Sequence, residues 1–195
     1  MVSFFVLLYS KSMSEILVCN SEIKLIKLNS EHKKLLLSWL TDKRVLKFWE
    51  GEDEVFDLKR IEEDFFAAED FEIIKTIIVY KGECVGYLQM YFLNKEQQSE
   101  YSYFGKDKLV SALDCFIGLP DKWGKGIGSK VMKLAKDYLV SRGAEVILID
   151  PHTDNIRAIK CYEKSGFKKV KVLTRHELHN GKLVDCYLME CCLTC

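Results

Sequence analysis

The sequence predicts a single α/β (α+β) domain, with a mixed central sheet flanked by helices. Three observations carry that prediction. Short apolar runs rich in Ile, Val and Leu alternate with segments whose apolar residues recur at helical spacing. Two neighbouring runs joined across Lys81-Gly82-Glu83 read as an antiparallel hairpin, so the sheet is not purely parallel. A glycine-rich segment falls between a strand and a helix, as in α/β folds whose ligand sits where the central strands end. The 195 residues are 48% hydrophobic and 30% charged, which suits one core, and no linker, low-complexity tract or repeat divides them.

The elements follow in order. Met1 to Tyr9 is apolar but has no basic leader, and Lys11 stops the run far short of a membrane span. Met13 offers a second start, so residues 1–20 are expected to be an N-terminal extension and residues 21–195 the domain. Residues 23–28 form the first strand. Asn29 and Ser30 cap a helix bearing Leu35, Leu36, Trp39 and Leu40, and a short helix follows from Asp42. From Glu50 to Glu72, eleven acidic residues stand against Lys59 and Arg60 alone, and residues 58–68 of this stretch are helical. Residues 73–80 and 84–93 are the hairpin strands, and residues 109–117 are the next. Ile127, Val131, Leu134, Ala135, Tyr138 and Leu139 mark one face of a helix that Arg142-Gly143 ends. Residues 146–149 form a short buried strand leading to Asp150-Pro151. A helix opens at Asp154-Asn155 and closes at Ser165-Gly166, and residues 167–173 and 183–188 are the last strands.

Composition excludes several function classes. The formal charge is zero and no basic stripe is interleaved with aromatics, so neither nucleic acid nor an anionic membrane is expected as a partner. The eight cysteines are scattered through apolar segments rather than spaced as a disulfide framework, and they read as reduced thiols of a cytoplasmic protein. His176-x-x-His179 and Cys192-x-x-Cys195 have metal-like spacing, but a chain terminus and a turn at Gly181 anchor ligands poorly, so no metal is expected. None of the four histidines lies near a nucleophile elbow.

The chemistry is concentrated in Lys122-Trp123-Gly124-Lys125-Gly126-Ile127-Gly128-Ser129-Lys130. Glycines at alternate positions before a helix aim unpaired N–H groups at a phosphate and let a pyrophosphate approach the backbone closely. A tight turn requiring positive φ is the alternative origin of such glycines. The Gly-Lys-Ser/Thr of a P-loop is missing, and no dinucleotide fingerprint begins the chain.

Residues 113–169 resemble the acetyl-CoA core of the GCN5-related N-acetyltransferase superfamily. The segments Leu113-Asp114-Cys115-Phe116-Ile117-Gly118, Gly124 to Gly128, Ile149-Asp150-Pro151 and Asn155 to Phe167 resemble those of aminoglycoside 6'-N-acetyltransferases in particular. A looser likeness runs over Trp39 to Asp42, Phe48 to Gly51, His176 to His179 and Asp185 to Glu190. One departure is Trp123, where the superfamily often has Arg or Gln.

The resemblance implies a fold with splayed central strands and acetyl-CoA as cosubstrate, its phosphates held by Lys122, Gly124, Lys125, Gly126, Ile127, Gly128, Ser129 and Lys130. Cys115, Phe116 and Ile117 would line the thioester, and Asn155, Ala158, Tyr162 and Lys164 would complete that site. Tyr162 shares a helical face with Ile156 and Ile159, which packing alone explains; the resemblance places it beside the CoA sulfur. Asp107 or Asp114 is the expected proton acceptor; an uncompensated carboxylate such as Asp114 in an apolar strand is costly without a role. The implied acceptor is a polycationic aminoglycoside held by Trp49, Asp53, Asp114, Asp150 and Asp185. For Asp150 an Asx-turn, and for Asp185 an exposed strand position, are the competing explanations. Glu62, Glu63 and Asp64 are assigned to a solvated helix face. A monomer or homodimer is expected. Other amines, such as a polyamine, a siderophore precursor or a protein N-terminus, and a non-catalytic acetyl-CoA sensor are the alternatives.

Overall fold

The computed structural model describes residues 15–67, 72–101, 103 and 108–193. The strands are β1 (Ile16–Cys19), β2 (Ile23–Lys27), β3 (Ile73–Tyr80), β4 (Glu83–Phe92), β5 (Val110–Ile117), β6 (Val146–Ile149), β7 (Lys168–His179) and β8 (Lys182–Cys192). They form one sheet in the order β1-β2-β3-β4-β5-β6-β8-β7, antiparallel except for the β5–β6 pair. Among the described residues, six α-helices accompany it: α1 (Lys33–Leu40), α2 (Lys43–Leu46), α3 (Leu58–Phe66), α4 (Lys95–Glu100), α5 (Ile127–Ser141) and α6 (Ile156–Lys164).

Local chemistry sets the connections. Lys81 and Gly82 both have positive φ, and so do Asn180 and Gly181, the combination a two-residue hairpin turn requires between twisted strands. The second turn joins two strands longer than their apolar runs, because much of β7 and β8 is exposed. Asn29, Asp42, Asp57, Asn94 and Asn155 accept N–H groups at helix starts. Helix α4 has no buried residue and hence no apolar period, which is why the sequence pattern did not predict it. The sheet begins at Ile16, inside the segment expected to be an extension, with Ile16 opposite Ile26.

The period of two along each strand divides the apolar residues into opposed cores. Ile78, Leu88, Leu113 and Ile147 pack with Val131, Ala135 and Leu139 of α5 and Ile159 of α6. On the other face, Ile77, Tyr87 and Phe116 pack with Leu36, Leu40, Ile61 and Phe65 of α1 and α3. A third cluster on this second face holds Val110, Ala112, Val146 and Leu148. Asp114 thus sits on one strand face between Ala112 of one core and Phe116 of the other. A polar seam between two apolar cores is the structural origin of the site.

Candidate active site

Strands β5 and β6 pair only at Val110–Val146, Ser111–Ile147 and Ala112–Leu148, while β5 stays paired to β4 as far as Ile117. Beyond Ala112 the two strands therefore diverge. A cleft of about 620 Å³ opens there, lined by Asp114, Cys115, Phe116 and Ile117 on one side and Ile149, Asp150 and Pro151 on the other.

The glycine segment closes one end. Gly124 and Gly126 have φ of 72° and 75°, and a Cβ on either would meet nothing within 4 Å. Gly126 is the N-cap of the 15-residue helix α5 and supplies no side-chain cap to the helix's first N–H groups. Gly128 serves packing: a Cβ there would stand 2.9 Å from Cys161 Sγ, where α5 approaches α6. The residues present fit a pyrophosphate. The cations are arranged differently from expectation. Lys122 and Lys164 line the cleft, with Lys122 2.6 Å from Glu83. Lys125 is exposed outside it, and Lys130, one turn into α5, pairs with Glu22 and lies over Tyr80 instead. Arg157, absent from the expected set, lies 3.7 Å from the centroid of the Trp123 ring, and both line the cleft. The departure at Trp123 thus carries a cation on its face.

The seam supplies the acid–base groups. Tyr87, Gln89 and Tyr91 share one face of β4, and Gln89 stands directly across from Asp114. The Tyr87 hydroxyl donates to Gln89 Oε1 at 2.8 Å, and Gln89 Nε2 donates to Asp114 Oδ2 at 2.7 Å. Burial and the neighbouring Asp150 charge push the Asp114 carboxyl up to about 7, against the opposing hydrogen bonds of Gln89 and Tyr91. Asp150 lies 3.2 Å from His176 Nε2, and this hydrogen bond holds the imidazole pKa above its usual value. The buried Tyr162 ring lines the cleft, and desolvation keeps its hydroxyl protonated well past the usual tyrosine range. Asn155 and Ala158 also line it, but the Asn155 side-chain Oδ1 caps α6 by accepting the Ala158 N–H at 3.2 Å. Asp107 lies outside the described residues.

Trp49 lines the cleft as an apolar wall, stacked on Phe65 at 6.5 Å and edge-on to Phe116 at 4.8 Å. Asp53 and Asp185 are not brought to it. The Asp53 loop is pinned by the β7–β8 turn, where Asn180 Oδ1 accepts the Asp53 N–H at 3.3 Å, and its carboxylate is exposed. Asp185 accepts the Arg175 N–H at 2.8 Å, capping a bulge in β7. That bulge lets the consecutive residues His176 and Glu177 both reach the cleft, where a regular strand would send them to opposite faces. Sequence reasoning missed both, along with Glu50, Gln89 and Tyr101. For Gln89 a signal existed: a polar residue on the same strand face as Tyr87 and Tyr91.

A phosphate cradle at a helix N-terminus, opening onto splayed strands and a carboxylate seam, defines the class as a transferase that takes its acyl group from a CoA thioester. Residues 29–175 match the Acetyltransferase (GNAT) domain family, and the chain belongs to it: it is an acetyl-CoA-dependent N-acetyltransferase. The chain is 28% identical over 154 residues to aminoglycoside N(6')-acetyltransferase type 1 of Klebsiella pneumoniae, covering 76% of each protein. It superposes on the crystal structure of aminoglycoside acetyltransferase AAC(6')-Ib in complex with coenzyme A and kanamycin with a TM-score of 0.70 and 21% identity, covering 88% of this chain and 95% of that one. Spermidine N-acetyltransferase from Vibrio cholerae, in complex with CoA and spermine, gives a TM-score of 0.67 at 19% identity, covering 89% and 96%. At that identity both superpositions establish the fold. Among the described residues, no helix is long and apolar enough to cross a membrane.

Proposed function

We propose that the protein transfers the acetyl group of acetyl-CoA directly to the 6'-amine of an aminoglycoside antibiotic and so confers resistance in the cytoplasm. The observation that carries this reading is the pair of carboxylates, Asp114 and Asp150, lining the cleft where the strands splay. A polycationic amine needs partly desolvated carboxylates to pair with its ammonium groups. Glu50 and Glu177 line the same cleft and add two more. The similarity to the Klebsiella aminoglycoside acetyltransferase supports the same substrate class.

Acetyl-CoA supplies an activated thioester carbonyl. The N–H groups at the start of α5, with Lys122, Lys164 and Arg157, hold its phosphates. Asp114 accepts the proton of the acceptor ammonium; a carboxyl titrating near neutrality matches that task, since its basic form is abundant while its conjugate acid still binds a proton. Gln89 positions it from across the strand pair. A backbone N–H of Cys115 or Phe116 stabilises the oxyanion. Tyr162 keeps its proton and donates a hydrogen bond to the departing thiolate as the carbon–sulfur bond breaks, and the second proton of the attacking nitrogen leaves to solvent or to the thiolate. Asp150 pairs with a second ammonium group of the acceptor.

Comparing kanamycin with an analogue that carries a hydroxyl at the 6' position tests the regiochemistry. Kanamycin should give one product acetylated at the 6' nitrogen, and the analogue should be turned over at least about 100-fold more slowly. Equal turnover of the analogue through another amine would remove the 6' assignment.

A further inference from the structure

The acceptor-side wall contains a second cluster with different chemistry. His152, buried after β6, Glu177 on β7 and the fully buried Cys186 on β8 each bring a donor atom within 4.8 Å of the other two. His152 Nε2 lies 3.0 Å from Glu177 Oε2, and the Cys186 thiol points at the same oxygen at 3.8 Å. The ring of His179 stands edge-on to His152 at 4.5 Å, and its Nδ1 is buried with no hydrogen-bond partner. Polar donor capacity here exceeds what the protein itself satisfies, which is unusual in a folded interior.

The donors are held by backbone rather than by mobile loops. His152 bridges Cys186, the Thr153 N–H donates to the Asp185 carbonyl at 2.9 Å, and the Tyr187 N–H donates to the Pro151 carbonyl at 2.9 Å. The β7 bulge presents Glu177. Tetrahedral zinc with nitrogen, oxygen and sulfur ligands separates those atoms by about 3.3–3.6 Å, close to the spacings to Glu177 already present. A mixed imidazole, carboxylate and thiolate set selects zinc-class ions over magnesium or calcium, which take oxygen ligands.

We propose that His152, Glu177 and Cys186 form a binding site for a zinc-class divalent metal, with its remaining position open to the cleft that His152 and Glu177 line. It differs from the spacing considered in the sequence: His176 is paired with Asp150, and Cys192 lies 3.8 Å from Lys108 Nζ. Binding moves no electrons. The metal takes the thiolate of Cys186, whose proton leaves to solvent, and displaces any proton shared by His152 and Glu177.

The test uses the full-length protein, stripped with a chelator and titrated with Zn²⁺ or Co²⁺. One equivalent should bind, raise the Tm, and with Co²⁺ give a thiolate-to-metal charge-transfer band together with tetrahedral ligand-field bands. Cys186→Ser should abolish the charge-transfer band, and Glu177→Gln, at a half-buried position that tolerates the change, should weaken Zn²⁺ binding at least about 10-fold. Calorimetry in two buffers of different ionisation enthalpy should show at least one proton released per metal. Failure to bind one equivalent, a charge-transfer band that survives Cys186→Ser, or Zn²⁺ affinity unchanged in Glu177→Gln would each overturn the proposal.

Discussion

Asp114→Asn separates two consequences of placing a carboxylate between apolar cores. The folded protein holds this carboxyl at about 7, against about 3.9 in an unfolded chain. Between those values the folded state binds the extra proton. The stability contributed by Asp114 is therefore fully present below about pH 3.9 and is lost as pH rises through about 7. A separation of about 3 units sets a ceiling of about 4 kcal/mol, and solvent in the cleft reduces the expected penalty to about 1–2 kcal/mol. Asparagine keeps the size and can still accept from Gln89, yet it carries no charge to desolvate. The variant should be more stable than wild type near pH 8, with the advantage gone near pH 4. If Asp114 is the base, the same variant should lose about 100-fold or more in kcat at neutral pH and recover part of it at high pH, where free amine is plentiful. Denaturant melts at both pH values and a pH–rate profile measure the two effects on one protein. Destabilisation of equal size at both pH values, with kcat unchanged, would refute the burial argument and the assignment of the base together.

Other perturbations address the cosubstrate side. Gly126→Val forces a β-branched residue into left-handed backbone at a strain of about 1–2 kcal/mol and projects a side chain into the cradle, so CoA binding measured by calorimetry should be lost, whereas Lys125→Ala should stay close to wild type. Arg157→Ala removes the cation held on Trp123 and should weaken CoA binding about tenfold, with little change in acceptor KM. Tyr162→Phe keeps the ring and removes the hydroxyl, so kcat should fall about 100-fold while CoA affinity is preserved.

Most of the fold was legible because its signals are local. The periods along β3, β4 and α5, the capping residues and the glycine loop each report on a few neighbouring residues. Asp114 was legible for the same reason, as a charge inside an apolar strand. The remainder depends on contacts between distant segments. Asp53 looked available until the Asn180 turn was seen to pin its loop, and Asp185 looked like a ligand until the bulge it caps was visible. The same bulge places His176 and Glu177 side by side, against the alternation expected of a strand. Arg157 is another such case: it lies over the Trp123 ring, 34 residues away in sequence, and both line the cleft.

The claim at the centre is that an acetyl-CoA-dependent enzyme selects a polycationic aminosugar. It is tested most directly by kcat/KM for kanamycin, tobramycin, spermidine and an N-terminal peptide, measured side by side from CoA release with acetyl-CoA saturating. The aminoglycosides should exceed the other acceptors by at least about 100-fold, with one acetyl group transferred per CoA released. Faster turnover of spermidine or the peptide would contradict the acceptor, and tight acetyl-CoA binding without turnover of any amine would contradict catalysis itself.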